Sequence, residues 1–228
     1  MRKPPTSTAL LRYHTALLLR SQRWLPPVLV YAALVAVGAQ PGDPVLDSLG
    51  YTSAALLPVA AWLTRISATQ EPPAARHVTA SAAGPGRAHL AALLTASGCA
   101  AALGTAGSAL VVAMSGWWNT SHEVRIAPLP MVLAALLAVA VCVLLGTAVG
   151  ALCTWPLLRS PGWSVSLTAL LALLAIVTTG SPARETVWAL ITGSRTGTTP
   201  VLLLPLAGAA LLAVAAGATV CGVCSRRG

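Results

Sequence analysis

The sequence predicts an all-α, polytopic membrane protein with six transmembrane helices, and three observations support this fold class. Hydrophobic residues make up 56% of the 228 residues and charged residues only 8%, whereas soluble domains carry about 25% charged residues. The apolar residues form long runs without the alternation of β-strands, so each run predicts a helix with internal backbone hydrogen bonds. Arginine is concentrated on one side of these runs, as in multi-pass proteins.

Residues 1–24 are predicted to form a cytoplasmic tail and an amphipathic helix that lies on the membrane surface. Between Thr6 and Trp24, helical spacing separates an apolar face from a basic face. The apolar face comprises Leu10, Leu11, Tyr13, His14, Leu17, Leu18 and Trp24, and the basic face includes Arg12, Arg20 and Arg23. We expect these arginines to face anionic headgroups. A positively charged anchor without a fixed helix is the alternative.

Residues 25–228 are predicted to form one transmembrane domain, because an apolar helix of about 20 residues crosses a bilayer. The six candidate runs are 25–40, 45–63, 90–115, 128–158, 162–179 and 201–223. One side of this arrangement holds most of the basic residues; the other holds four of the five acids and, of the basic residues, only Arg125, Arg184 and Arg195. The positive-inside rule therefore places both termini in the cytoplasm of a multi-pass plasma-membrane protein.

The polar loop of residues 64–89, on the cytoplasmic side, contains a predicted helix of its own. Glu71-Pro72-Pro73 forms a helix start, because proline is tolerated in the first turn and a carboxylate favours the positive end of the helix dipole. The stretch from Ala74 to Ala83 favours a helix, and Gly84-Pro85-Gly86 ends it. A short basic helix between two spans predicts a docking surface for a cytoplasmic partner.

Three smaller features carry further expectations. The semi-polar segment 181–199, which contains Trp188, predicts a short helix that dips into the outer leaflet before the last span. Gly146 and Gly150 form a GxxxG pattern that lets helices approach closely, and packing within one chain is favoured over a dimer interface. The Cys221 and Cys224 pair is interpreted as structural, since no second pair and no nearby histidine accompanies it.

The sequence lacks the residue patterns typical of catalysis, metal binding and nucleotide binding. No ionisable residue falls in the middle of a predicted span, as ion-coupled transport would require, and no glycine-rich phosphate loop ends in Lys-Ser or Lys-Thr. We therefore expect neither enzyme activity nor a cofactor in this chain. The net charge of +9 is explained by membrane topology rather than by nucleic acid binding.

Together these features resemble the membrane permease of an ABC transporter of the six-helix exporter class, in particular actinobacterial permeases. The resemblance covers the whole chain as an arrangement of amphipathic helix, cytoplasmic loop helix and semi-polar outer segment. Its most specific residues are Glu71-Pro72-Pro73-Ala74-Ala75-Arg76, Ala82-Ala83-Gly84 and Arg87-Ala88-His89.

The resemblance implies partners and a mechanism. Two permease subunits, alike or different, would pair with a dimer of cytoplasmic ABC ATPase subunits that bind ATP and Mg²⁺. The outer segment with Trp188 would act as a gate, and the substrate would be an apolar or amphiphilic drug, peptide or lipid-like molecule. The loop helix would dock into the ATPase through Glu71, Arg76, His77, Gly84 and Arg87. The alternative is a non-transporting accessory, scaffold or immunity membrane protein.

Overall fold

The computed structural model describes residues 7–154 and 161–227, and across these ranges the chain is helical without a β-strand. The predicted all-α class is therefore confirmed. Residues 1–6 of the predicted tail and 155–158 of the fourth predicted run lie outside the described residues. The helices are α1 (Ser7–Ser21), α2 (Leu25–Gly38), α3 (Val45–Thr69), α4 (Pro73–Ala83), α5 (Pro85–Met114), α6 (Pro128–Leu152), α7 (Pro161–Val177), α8 (Pro182–Thr196) and α9 (Leu203–Arg227).

Three of the described helices, α5, α6 and α9, are long and apolar enough to cross a membrane. The helices α7 and α8 are bent by 44° at a short break, and together they form a fourth candidate, either a broken span or a re-entrant pair. Helix α2 is apolar but has only 14 residues, which extend over about 21 Å, less than the roughly 30 Å of a bilayer's hydrocarbon core. The described residues therefore support three or four spans.

Helix α3 has 25 residues, long enough to span, yet it is not among the apolar candidates. Its sequence contains several polar residues, among them Asp47, Thr52, Ser53 and Arg65. The helix lies at the centre of the bundle, where α1, α2, α5, α6, α7 and α8 all pack against it. Much of its surface thus faces other helices, which explains how a helix of this length can carry so many polar residues beside apolar ones.

Glycines on neighbouring helices allow the close approach to α3. A Cβ atom built on Gly146 would lie 2.6 Å from the carbonyl oxygen of Leu57, and one on Gly150 would lie 2.6 Å from that of Ala61. Gly104 of α5 lies against Leu56 and Val139 in the same way. Small residues at these positions bring backbones together where lipid supplies no hydrophobic driving force. The GxxxG pattern of α6 packs within this chain.

The loop of residues 64–89 is largely helical. Helix α3 continues to Thr69, α4 occupies the stretch where a helix was predicted, and α5 begins at Pro85 rather than after a further loop. Gly84 separates α4 from α5 with a φ of +87°, a conformation that glycine adopts at little cost. The two helices are therefore joined by a single glycine.

Because the Cβ of an alanine at position 150 would meet backbone rather than a flexible side chain, Gly150→Ala is expected to push α6 away from α3. We predict a loss of about 1–3 kcal/mol in unfolding free energy, as for other overpacked sites. Gly98→Ala is the matched control, since nothing lies within 4 Å of its added Cβ. Reversible unfolding of the purified protein in mixed micelles measures both variants, and equal stabilities would contradict the packing argument.

Candidate functional site

The buried face of α1 lies on protein rather than only on lipid. Leu10, His14 and Leu18 form a buried stripe at helical spacing, and Leu10 packs in one cluster with Ala83 of α4 and Ala91 of α5. Leu10, His14 and Leu18 were predicted to belong to the apolar face that lies on the membrane. The basic residues Arg12, Arg20 and Arg23 are exposed, and half-buried Trp24 donates its indole N–H to the carbonyl oxygen of Leu19 at 3.2 Å.

Glu71 lies at the centre of a polar cluster between α1 and α4. Its side chain is only 7% exposed, and Oε1 accepts hydrogen bonds from Tyr13 Oη at 3.2 Å and from Thr79 Oγ1 at 3.0 Å. Arg76 Nη2 donates to the carbonyl oxygen of Glu71 at 3.2 Å. One carboxylate thus links the N-terminal helix to the helix of the loop. The α1–α4 polar cluster, as we name it, consists of Tyr13, His14, Gln70, Glu71, Arg76 and Thr79.

This arrangement favours the protonated form of the Tyr13 phenol, which can donate a hydrogen bond. Partial burial, the charge of Glu71 and the hydrogen bond to Glu71 all raise the pKa of Tyr13 above its ordinary value. A second link between the same elements comes from Gln70, whose Nε2 donates to the carbonyl oxygen of His14 at 3.4 Å. Both links join α1 to the segment between α3 and α4.

His14 is buried beside this carboxylate. Neither ring nitrogen has a hydrogen-bond partner of normal geometry in residues 7–154 and 161–227. Burial lowers the pKa of His14 below its ordinary value, an effect opposed by the charge of Glu71 and by the nearby backbone of Ala88. The ring edge also contacts Tyr13, with 5.3 Å between ring centroids. Docked α1 therefore favours a neutral His14.

The predicted docking residues fall into two groups. Glu71 faces inward and Arg76 is half-buried, whereas His77 and Arg87 are exposed and half-buried Gly84 lies between α4 and α5. Exposed positions recur on α4 at the three- and four-residue spacing of one helix face, with Val78 67% exposed at its centre. The α4 outer stripe, as we name it, comprises Ala74, His77, Val78, Ser81 and Ala82.

Sequence reasoning missed several members of the cluster. Tyr13 and His14 were assigned to a lipid-facing surface, and Gln70 and Thr79 were not singled out. The available signal was a histidine and a tyrosine on an otherwise apolar helix face, because polar groups that lie against protein usually find hydrogen-bond partners there. The partner itself lies 58 residues away in sequence, which periodicity alone does not identify.

The opposite end of the bundle contains the segment predicted as an outer gate. Trp188 is 51% exposed on α8, while Leu190 and Ser194 face the bundle interior. Thr120, in the connection between α5 and α6, donates its backbone N–H to the carbonyl oxygen of Ser194 at 3.0 Å. The C-terminal turn of α8 is therefore tied to that connection rather than held only by lipid.

The cysteines and other potential ligands do not converge on a metal site. Cys221 and Cys224 are unbridged, and Cys224 is buried against Leu93, Ala151 and Val220. In the described part of the chain, no group of three or more His, Cys, Asp or Glu side chains is arranged to hold a metal ion.

Comparisons with protein-family models, with curated proteins and with solved structures find no match to this chain. The resemblance to ABC permeases therefore depends on the helix arrangement and the loop residues of this chain.

Removing the Glu71 carboxylate is expected to loosen α1. In Glu71→Ala the hydroxyls of Tyr13 and Thr79 lose their shared acceptor, and we predict that α1 docking weakens by about 1–3 kcal/mol. Glu71→Gln retains an acceptor oxygen and should lose less. Glu123→Ala, at an exposed position, is the control. Amide hydrogen exchange across α1 measures docking, and unchanged α1 protection in Glu71→Ala would refute this role.

Acidification is also expected to release α1. Since docking lowers the pKa of His14, undocked α1 binds a proton more readily, so docking is favoured above the ordinary pKa of about 6.5 and weakens as pH falls below it. The protection of α1 amides, expressed relative to their intrinsic exchange rate at each pH, should thus fall between pH 7.5 and pH 5. His14→Leu should weaken this dependence, whereas His77→Gln, at an exposed position, should retain it in full. An identical pH response in His14→Leu would disprove the assignment.

Proposed function

We propose that this chain is the permease subunit of an ATP-driven ABC exporter in the plasma membrane, with six spans and both termini in the cytoplasm. A separate dimer of ATPase subunits binds ATP and Mg²⁺, and a second permease subunit, alike or homologous, completes the transporter. The substrate is apolar or amphiphilic. The observation that supports this proposal most directly is the α4 outer stripe. It is an exposed face of a helix whose opposite face is held by hydrogen bonds within the chain.

A helix that transmits force needs one face for its partner and firm attachment through the other. Helix α4 meets both requirements. Its inner face is linked to α1 through Thr79, Glu71 and Tyr13, and its last residue, Ala83, lies in one buried cluster with Leu10 of α1 and Ala91 of α5. Its outer face presents Val78 together with small side chains, which leave room for close contact with another protein. The exposed side chains of His77 and Arg87 complete this surface.

The charge of the chain supports the same orientation. Arg12, Arg20, Arg23 and Arg87 are exposed at the end of the bundle that holds α1 and α4. A cytoplasmic location for this end agrees with the positive-inside rule. The α4 outer stripe would then face the compartment in which ATP is hydrolysed.

The six-span arrangement extends the three or four apolar candidates by α2 and α3. Helix α3 is long enough at 25 residues, or about 37 Å, and its polar side chains lie largely inside the bundle. Helix α2 is short, but Trp24 and Gln40 flank it and are suited to the membrane interface. Local thinning of the bilayer accommodates a short span at modest cost.

The proposal is tested by purifying the tagged chain from its native membranes and measuring ATP hydrolysis by the subunits that accompany it. Val78→Glu is expected to lower substrate-stimulated hydrolysis about tenfold or more, because a charge at the centre of a packed interface is poorly tolerated. Ser121→Glu is the control, since Ser121 is exposed in the connection between α5 and α6 and lies outside the six spans.

Arg87→Glu tests the contribution of charge at the same surface. We expect it to reduce coupling between ATP hydrolysis and export while membrane insertion, followed by protease protection, stays intact. Two results together would favour the accessory, scaffold or immunity alternative. The chain would purify without any ATPase subunit, and cells that carry Val78→Glu or Arg87→Glu would have the same phenotype as cells with the unmodified chain.

A further inference from the structure

A cavity of about 390 Å³ lies between α2 and α5, away from the α1–α4 polar cluster. Its walls are formed by apolar side chains such as Val35, Leu103 and Leu110, and its polar side chains are those of Tyr31 and Gln40. This volume falls within the range of small-molecule sites. For comparison, an apolar cavity of about 150 Å³ holds benzene, so this cavity has room for roughly fifteen non-hydrogen atoms.

The wall of this cavity contains a buried hydroxyl group that lacks a protein partner. Tyr31 is only 2% exposed, and its Oη finds no hydrogen-bond partner in residues 7–154 and 161–227. This hydroxyl packs closely against Gly107, another wall residue, since a Cβ built on Gly107 would lie 2.5 Å from Tyr31 Oη. Because a buried hydroxyl without a partner is unfavourable, an acceptor atom that reaches Tyr31 Oη from the cavity through a small shift of the wall would be bound selectively.

Further hydroxyls without partners lie at the same level of the bundle. The register of α3 and α5 is fixed by the hydrogen bond from Ser67 to the carbonyl oxygen of Ala92 and by the contact of Gly104 with Leu56. This antiparallel register brings the middle of α3 level with the Gly107 turn of α5. The buried hydroxyls without a partner at this level, counted within the described residues, are those of Tyr31, Thr52, Ser53 and Ser108.

Neither water nor a lipid chain would satisfy the hydrogen bond of the Tyr31 hydroxyl in this cavity. A buried water needs two to four polar partners, and the cavity offers the Tyr31 hydroxyl among mostly apolar walls. Tyr31 lies seven residues before the end of α2 at Gly38, about 10 Å along the helix. At that depth a lipid presents hydrocarbon, which fills the space but accepts no hydrogen bond.

We propose that the α2–α5 cavity is a binding site for a small amphiphile: a predominantly apolar molecule with one ketone, ester or ether oxygen that accepts a hydrogen bond from Tyr31. The alkyl part fills the space between α2 and α5, and the oxygen lies beside Gly107. The site depends only on the residues of this chain, so it stands whether or not an ATPase partner exists.

The test uses the purified full chain in lipid nanodiscs and a diazirine derivative of undecan-2-one as the photoreactive probe. Mass spectrometry locates the labelled peptides, which are expected in α2 and α5. Unlabelled undecan-2-one should compete at about tenfold lower membrane concentration than undecane, which has the same chain without the acceptor. In Tyr31→Phe this preference should fall to threefold or less, because only the hydroxyl is removed.

A second pair of variants tests the space itself. Ala106→Phe places a ring in the cavity wall and should reduce labelling about tenfold; Ala36→Phe does the same from α2 if Ala106→Phe does not fold. Ala102→Phe, on an exposed position of α5 outside the cavity wall, should leave labelling unchanged.

Equal competition by undecane and undecan-2-one in the unmodified protein would overturn the proposal and identify a lipid-filled cleft. Labelling outside α2 and α5, equal loss of labelling in Ala102→Phe and Ala106→Phe, or an undiminished ketone preference in Tyr31→Phe would overturn it as well.

Discussion

The contact between α3 and α6 at Gly146 and Gly150 is the constraint on which the other helix positions depend. In a bilayer, apolar side chains gain little by leaving lipid for protein, so helices associate through close packing and hydrogen bonds. Glycines without a Cβ let the backbone of α6 reach the carbonyl oxygens of Leu57 and Ala61. Because α1, α2, α5, α7 and α8 also pack on α3, a displacement of α3 would disturb each of these interfaces.

The central position of α3 explains where the polar residues of the bundle are found. Thr64 donates its hydroxyl to the carbonyl oxygen of Ala60 at 2.8 Å, and Ser67 donates to Ala92 at 2.9 Å. Large apolar side chains, such as Leu173 and Leu211, are exposed on the peripheral helices instead. Polarity inside and hydrophobicity outside is the pattern expected when the surrounding solvent is hydrocarbon.

The sequence predicted the elements that hydrophobic length and helix-ending residues determine, and it predicted few of their contacts. Helices α5, α6 and α9 follow from apolar runs, and α4 follows from Glu71-Pro72-Pro73 and Gly84. The central position of α3 could not be predicted from its polar composition, because hydropathy measures the polarity of the residues in a helix and not the neighbours that cover them. Likewise, a helical wheel grouped Leu10, His14 and Leu18 on one face but could not show that protein covers it. Glu71, predicted to contact a partner, is buried in this chain and accepts a hydrogen bond from Tyr13.

Helix α1 gains a specific role from these contacts. Gly84, with its positive φ, is a natural hinge between α4 and α5, and a free hinge would let α4 move without moving α5. Leu10 lies in one buried cluster with Ala83, before that glycine, and Ala91, after it, while Tyr13 donates a hydrogen bond to Glu71 ahead of α4. We therefore expect docked α1 to restrict the movement of α4 relative to α5. Under the proposed function, docked α1 would help to pass a displacement of α4 on to α5, whose residues from Leu103 onward line the cavity beside Tyr31.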